Sequence, residues 1–312
     1  DSGWRGVGQS PGGRLDDIGQ EGLELAYDHW LKGRNGAKRV LRDRLGRAIR
    51  DVELIREARP GHDLATSIDL RIQYLAYREL KRAVKKHRAK SATMVVMDVT
   101  TGEILAMVNQ PSYNPNDRSQ LAGNRYRNRA ATDIFEPGSA FKPLIVAAAL
   151  ESGRWKPYYK VETAPGYMRV KGNTIRDTKN YGDLDVGGVL EKSSNVGISK
   201  IALAMDADEQ WSMYQKMGFG SVTGSGFPGE VGGQLSLNAL NNDFERASMS
   251  FGYGMSVTPL QLAHVSDLFE IAIQLLPEGK EIHVKALKRG ESFSKHLDLR
   301  LDPSTMLLTN QS

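Results

Sequence analysis

The sequence predicts an α/β chain of the α+β kind, helices laid against antiparallel strands, on three observations. Ile72, Leu75, Ala76, Leu80, Ala83 and Val84 form a helical apolar face behind Asp69, a capping residue, and Lys85 to Lys90 follow where cations suit the helix dipole. The period then changes. Thr93 to Val99 and Glu103 to Val108 are β-rich runs on either side of Thr100, Thr101 and Gly102, the pattern of a hairpin belonging to a sheet. Apolar helical segments follow at Phe141 to Glu151, Val196 to Met205, Glu209 to Met217 and Pro259 to Phe269. With 312 residues, 40% of them apolar, the chain can fill one large domain and a smaller one.

Ahead of these elements, Asp1 to Leu15 is rich in Gly, Arg and Ser without periodicity, and is expected to be poorly ordered. Leu23, Ala26, Tyr27, Trp30 and Leu31 give a short helix within Gln20 to Leu31, ending before Gly33. Arg39 to Asp43 and Ala48 to Ile55 flank a turn at Leu45, Gly46 and Arg47 and read as a charged hairpin. Pro60 and Gly61 mark a connection, which puts a boundary near Ala65. Three regions are expected: 1–65, 66–264, and a tail over 265–312 without a clear run of sheet strands.

Composition excludes several classes of function. There is no cysteine, so disulfides, thiol catalysis and thiolate metal sites are ruled out. The six histidines are scattered without zinc spacing, and no metal is expected. A formal charge of +5 concentrates in Arg34 to Arg50 and Arg78 to Lys90, which read as solvated faces. No nucleic-acid-binding motif accompanies it, so no nucleic-acid partner is expected. The longest wholly apolar run, Leu144 to Leu150, is far short of the roughly 20 residues that span a bilayer.

One pair of residues carries chemistry. Ser139-Ala140-Phe141-Lys142 sets a hydroxyl and an amine three residues apart, on one helix face about one turn from each other. Serine attacks only when a base takes its proton, and a lysine can be that base if burial or nearby charge lowers its pKa. Ser292-Phe293-Ser294-Lys295 matches the same template, but context separates them. Glu136-Pro137-Gly138 turns the chain into Ser139, and Pro143 to Leu150 is an apolar helix that would be buried. A polar pair at the mouth of such a helix needs a reason.

Phe135 to Pro143 resembles the Ser-x-x-Lys nucleophile segment of penicillin-binding proteins. A second motif of that family, Ser-x-Asn, is Ser193-Ser194-Asn195, 54 positions after Ser139 and just before a helical segment. Ser112-Tyr113-Asn114 and Ser236-Leu237-Asn238 match it by composition alone; the wider stretch Leu190 to Lys200 is what resembles the family. Ser250-Phe251-Gly252-Tyr253-Gly254, followed by Thr258-Pro259-Leu260-Gln261, also resembles it. Physically, the glycines allow close backbone approach, Thr258 caps a helix and Pro259 starts it. Gly19 to Glu24 resembles the non-catalytic N-terminal region of class B members, and with the Phe135-Glu136 lead it points to the cell-division type.

The resemblance implies the penicillin-binding and serine β-lactamase type of fold, with a partial N-terminal appendage over 1–65. It implies a peptidoglycan D,D-transpeptidase with Ser139 as nucleophile and Lys142 as base. Ser193 would relay the proton to the leaving amine, and Asn195 would hydrogen-bond substrate and Lys142. The implied partners are peptidoglycan stem peptides, β-lactam antibiotics and other division proteins, with no cofactor. The implied place is the periplasmic face of the bacterial inner membrane, the anchor belonging to an intact parent protein. The family's third motif, Lys-Ser/Thr-Gly, does not occur in this sequence; Lys288-Arg289-Gly290 is nearest, but arginine cannot replace the small hydroxyl. The resemblance covers Gly19 to Ala263 and the tail from Val265 to Ser312 matches no known family, so with this motif missing the chain is expected to be incomplete at both ends, through a frameshift or truncation near Val265 and another before Leu15. A D,D-carboxypeptidase, a serine β-lactamase, or an inactive relative that only binds partners fits the same motifs.

Overall fold

The structure, a computed structural model, describes residues 7–9, 15–42, 48–98, 100–115, 125–268, 272–275, 282–285 and 297–299. The turn at Leu45 to Arg47, Ser292 to Lys295 and Lys288 to Gly290 lie outside the described residues. Within the N-terminal stretch expected to be poorly ordered, β1 (Val7–Gln9) pairs antiparallel with β2 (Leu15–Asp17). The single helix expected next is two, α1 (Gly22–Ala26) and α2 (Asp28–Leu31), interrupted at Tyr27, where φ is −113° and ψ 20°. The break coincides with Asp28 turning its carboxylate back to accept from the Gly19 N–H at 2.6 Å. Trp30 stacks on His62 with ring centres 4.3 Å apart, tying α2 to the chain beyond the hairpin. That hairpin is β3 (Ala37–Arg42) with β4 (Ala48–Arg56), its apolar residues Leu41, Ile49, Leu54 and Ile55 exposed.

Asp69 caps α3 (Leu70–His87) as expected, its carboxylate accepting from the Arg71 and Ile72 N–H groups. The helix lies on the hairpin β5 (Ala92–Met97) and β6 (Ile104–Gln110), burying Ala76 and Leu80 against Ala106 and Val108. Gln73 pins it in register: its amide accepts from the Met107 N–H at 2.8 Å and donates to the Met107 carbonyl at 3.0 Å. Leu75, expected on the buried face, is 50% exposed, because the row that meets the sheet runs at intervals of four through Ile72, Ala76 and Leu80.

The larger core lies beyond α4 (Arg129–Thr132). A 3-10 turn, Gly138–Phe141, leads into α5 (Lys142–Glu151), which buries Leu144, Ile145, Val146 and Ala149 in the core and Lys142 at its start. Two hairpins follow, β7 (Lys160–Glu162) with β10 (Asp183–Asp185), enclosing β8 (Tyr167–Val170) with β9 (Asn173–Arg176). Then come α6 (Val186–Glu191), α7 (Asn195–Leu203), α8 (Ala207–Lys216), α9 (Asp243–Met249) and α10 (Pro259–Leu268). Phe141, Ile145, Val189, Ile198, Ile201, Tyr214 and Met249 fill one cluster among them. The start of α10 is a reciprocal cap. Thr258 Oγ1 accepts from the Gln261 N–H at 3.0 Å, and Gln261 Oε1 accepts from the Thr258 N–H at 2.9 Å.

The tail departs from expectation. β11 (Ala272–Leu275), β12 (Ile282–Lys285) and β13 (Leu297–Leu299) form a three-stranded antiparallel sheet in a segment expected to lack sheet strands. Each spans three or four residues, too short for the alternation that reveals a strand.

Candidate active site

The site is built around the 3-10 turn. Three residues per turn eclipse positions i and i+3, so Ser139 and Lys142 share one edge of it. Gly138 enters the turn at φ +59°, and its N–H donates to the Gly252 carbonyl at 3.1 Å. Gly252, at φ +78°, approaches so closely that a Cβ there would lie 2.2 Å from the Gly138 oxygen. Glu136 accepts from the Gly254 N–H at 3.0 Å, a second tie to the same glycine-rich segment. Phe141 is wholly buried, 5.3 Å from the Tyr214 ring and 5.1 Å from Phe219. The apolar anchor thus fixes the turn from below while Ser139 stays exposed above it.

Lys142 is 1% exposed, an amine in an apolar helix. It donates to the Ser193 carbonyl at 2.5 Å and to the Ser193 hydroxyl at 2.9 Å. Burial pushes its pKa down to about 8, against the opposite pull of the Asp177 carboxylate. Ser193 sits in the left-handed region at φ +53°, uncommon for a residue with a side chain. Ser194, buried, is the N-cap of α7 and accepts from the Gly197 N–H at 2.8 Å. The Asn195 amide donates to the Arg176 carbonyl at 3.1 Å; a bond to Lys142, expected from the resemblance, is not found among the described residues.

The structure therefore brings Lys142 and Ser193 together, with Ser139 on the same turn as Lys142, while the Asn195 amide is turned to the Arg176 carbonyl and does not join them. The two rival Ser-x-Asn matches lie elsewhere in local contacts: Ser112 meets Tyr77 at 3.3 Å, and Ser236 donates to Glu245 at 3.0 Å. Asp177 is a residue sequence reasoning missed. It follows β9 in a polar loop, and nothing in its neighbourhood distinguishes it from other loop acids.

The penicillin binding protein transpeptidase domain matches residues 92–270. The chain belongs to that family. The penicillin-binding protein dimerisation domain matches residues 12–66. Over 251 residues the chain is 46% identical to peptidoglycan D,D-transpeptidase FtsI of Escherichia coli K12, covering 80% of this chain and 42% of that protein. It is 42% identical over 287 residues to the probable peptidoglycan D,D-transpeptidase PenA of Neisseria meningitidis serogroup A, covering 88% and 49%. The chain thus spans about half the length of these relatives. Among solved structures, the transpeptidase domain of Burkholderia pseudomallei penicillin-binding protein 3 superposes with a TM-score of 0.59 at 37% identity, covering 79% of this chain and 68% of that one. A peptidoglycan glycosyltransferase from Burkholderia ambifaria superposes at 0.60 with 38% identity, covering 75% and 68%. Both domains together, with FtsI and PenA as relatives, make the chain a class B penicillin-binding protein of that transpeptidase fold.

Proposed function

We propose that this chain carries the acyl-transfer site of a peptidoglycan D,D-transpeptidase of cell division, with Ser139 as nucleophile and Lys142 as general base. The observation that carries the reading is Lys142: a buried amine with a pKa brought down to about 8, one 3-10 turn from an exposed serine. A neutral amine can take the Ser139 proton, and burial favours that form.

In the proposed reaction Ser139 Oγ attacks the carbonyl carbon of the penultimate D-alanine of a stem peptide, and its proton passes to Lys142 Nζ. The C–N bond to the terminal D-alanine then breaks. Ser193, already bonded to Lys142, relays the proton to the departing nitrogen, and Asn195 orients the substrate. An amine of a neighbouring stem attacks the acyl-enzyme and frees Ser139. A β-lactam carbonyl would stop at the acyl stage.

The division into a non-catalytic region at 1–65, a transpeptidase domain at 66–264 and a tail at 265–312 belongs to the same reading. So do other division proteins as partners and a place on the periplasmic face of the inner membrane, supported by the likeness to FtsI and PenA. No helix among the described residues is long and apolar enough to cross a membrane. A second reading, a binding module without turnover, is favoured by one observation, that no Lys-Ser/Thr-Gly occurs in the sequence.

The test is incubation with a stem pentapeptide and a D-amino acid acceptor, followed by mass spectrometry. Exchange of the terminal D-alanine for the acceptor supports the transpeptidase. Loss of D-alanine without exchange indicates a carboxypeptidase, and neither product supports the binding module.

A further inference from the structure

The strained Ser193 backbone has to be held by something, because a left-handed serine persists only where its surroundings enforce it. Asp177 grips the chain just after it, at Ser194 and Val196. Its Oδ2 accepts from the Ser194 hydroxyl at 2.6 Å, and its Oδ1 accepts from the Val196 N–H at 3.0 Å. Val196 lies in the first turn of α7, where backbone N–H groups lack helical partners and a negative charge is favoured. The neighbouring residue adds a third contact, the Arg176 carbonyl accepting from Asn195 at 3.1 Å. From the other side, Gly197 packs so tightly on α6 that a Cβ there would lie 2.6 Å from Val189.

We propose that Asp177 is a positioning residue of the site, a two-point carboxylate clamp on the start of α7 that holds Ser193 against Lys142. This rests on the assignment of Lys142 and Ser193 to the acyl-transfer machinery. The clamp has an electrostatic arm as well. Asp177 is the charged group that acts on the Lys142 amine and favours its protonated form against burial. Other charges near these elements are engaged: Lys192 pairs with Glu191 at 2.8 Å, Lys200 donates to the Glu162 carbonyl at 2.7 Å, and Arg176 lies over the Tyr167 ring. Asp177 therefore sets both where Ser193 stands and how readily Lys142 gives up its proton.

Two substitutions separate the arms. Asp177→Asn keeps an oxygen for the Val196 N–H and removes the charge; Asp177→Ala removes both. The readouts are the titration of Lys142, followed by NMR of 13C-labelled lysine and assigned by its loss in Lys142→Met, and the acylation rate with a fluorescent penicillin. The Lys142 midpoint is expected to fall by about half a pH unit or more in both variants. Acylation is expected to fall by about tenfold or more in Asp177→Ala and to stay within about threefold in Asp177→Asn at pH 8, since lost geometry costs most. An unchanged midpoint in Asp177→Asn overturns the electrostatic arm, and wild-type acylation in Asp177→Ala overturns the clamp. Lower stability of both variants with an unchanged Lys142 midpoint would make Asp177 a fold residue only, which also overturns the proposal. If the parent chain is not acylated at all, the functional reading fails, while the Lys142 midpoints still decide the electrostatic arm. If Asp177→Ala does not fold, Ser194→Ala, which removes the Oδ2 point of the clamp, takes its place in the acylation assay, and wild-type acylation there overturns the clamp.

Discussion

The buried lysine makes the stability of this chain depend on pH in a defined direction. Lys142 has an ordinary value of 10.5 when unfolded and about 8 when folded, because its site at 1% exposure disfavours the charged form. Between those values the unfolded chain binds the extra proton, so folding is opposed below pH 8 and the opposition is relieved as pH rises towards 10.5. At about 1.4 kcal/mol per pH unit of difference, the penalty is about 3 kcal/mol, an order-of-magnitude figure. Lys142→Met keeps an unbranched side chain of similar length and cannot titrate. It also loses the bonds to Ser193, which the charged amine donates more strongly than the neutral one, so they act against burial in setting the pH dependence. Urea unfolding of both proteins from pH 7 to pH 11 should show the parent gaining about 3 kcal/mol on the variant, with other titrating groups cancelling in the difference. A stability difference constant across that range would refute the burial argument, and a difference running the other way would mean that Asp177 outweighs burial.

Two further substitutions test the support of the nucleophile turn. Phe141→Ala empties the space against Tyr214 and Phe219 and should cost about 3–5 kcal/mol in denaturant unfolding. Gly252→Ala places a methyl 2.2 Å from the Gly138 carbonyl at a left-handed φ, so it should destabilise by about 1–3 kcal/mol and lower penicillin acylation at Ser139 in the folded fraction. Equal unfolding midpoints for parent and variant would show that the close approach of the two glycines is dispensable.

What the sequence reveals here follows the strength of the local signal. α3 is legible because a capping aspartate, a four-residue apolar row and a cationic end all agree, and of the expected face Leu75 and Ala83 lie off the row. α5 and α7 are legible through their apolar content. The small hairpins β7–β10 and β8–β9 are not, since strands such as Lys160–Glu162 and Asn173–Arg176 each carry a single buried position. Of the site, the Ser139 and Lys142 pair is legible as a spacing, and the close approach of Gly252 as a glycine-rich segment. The contact of Lys142 with Ser193 spans 51 positions and depends on a left-handed serine, a conformation no local propensity announces. Asp177 is invisible for the same reason: its partners at Ser194 and Val196 lie on the far side of a hairpin strand and a helix.

The central claim is that Ser139 is the residue that becomes acylated, with Lys142 as its base. Its direct test is peptide mass mapping after exposure to a β-lactam, on the parent chain, Ser139→Ala, Lys142→Met and Ser292→Ala. The account predicts one adduct on the peptide containing Ser139, absent in Ser139→Ala, reduced by about 100-fold or more in rate in Lys142→Met, and unaffected in Ser292→Ala. An adduct on Ser292, or one that persists in Ser139→Ala, would contradict it.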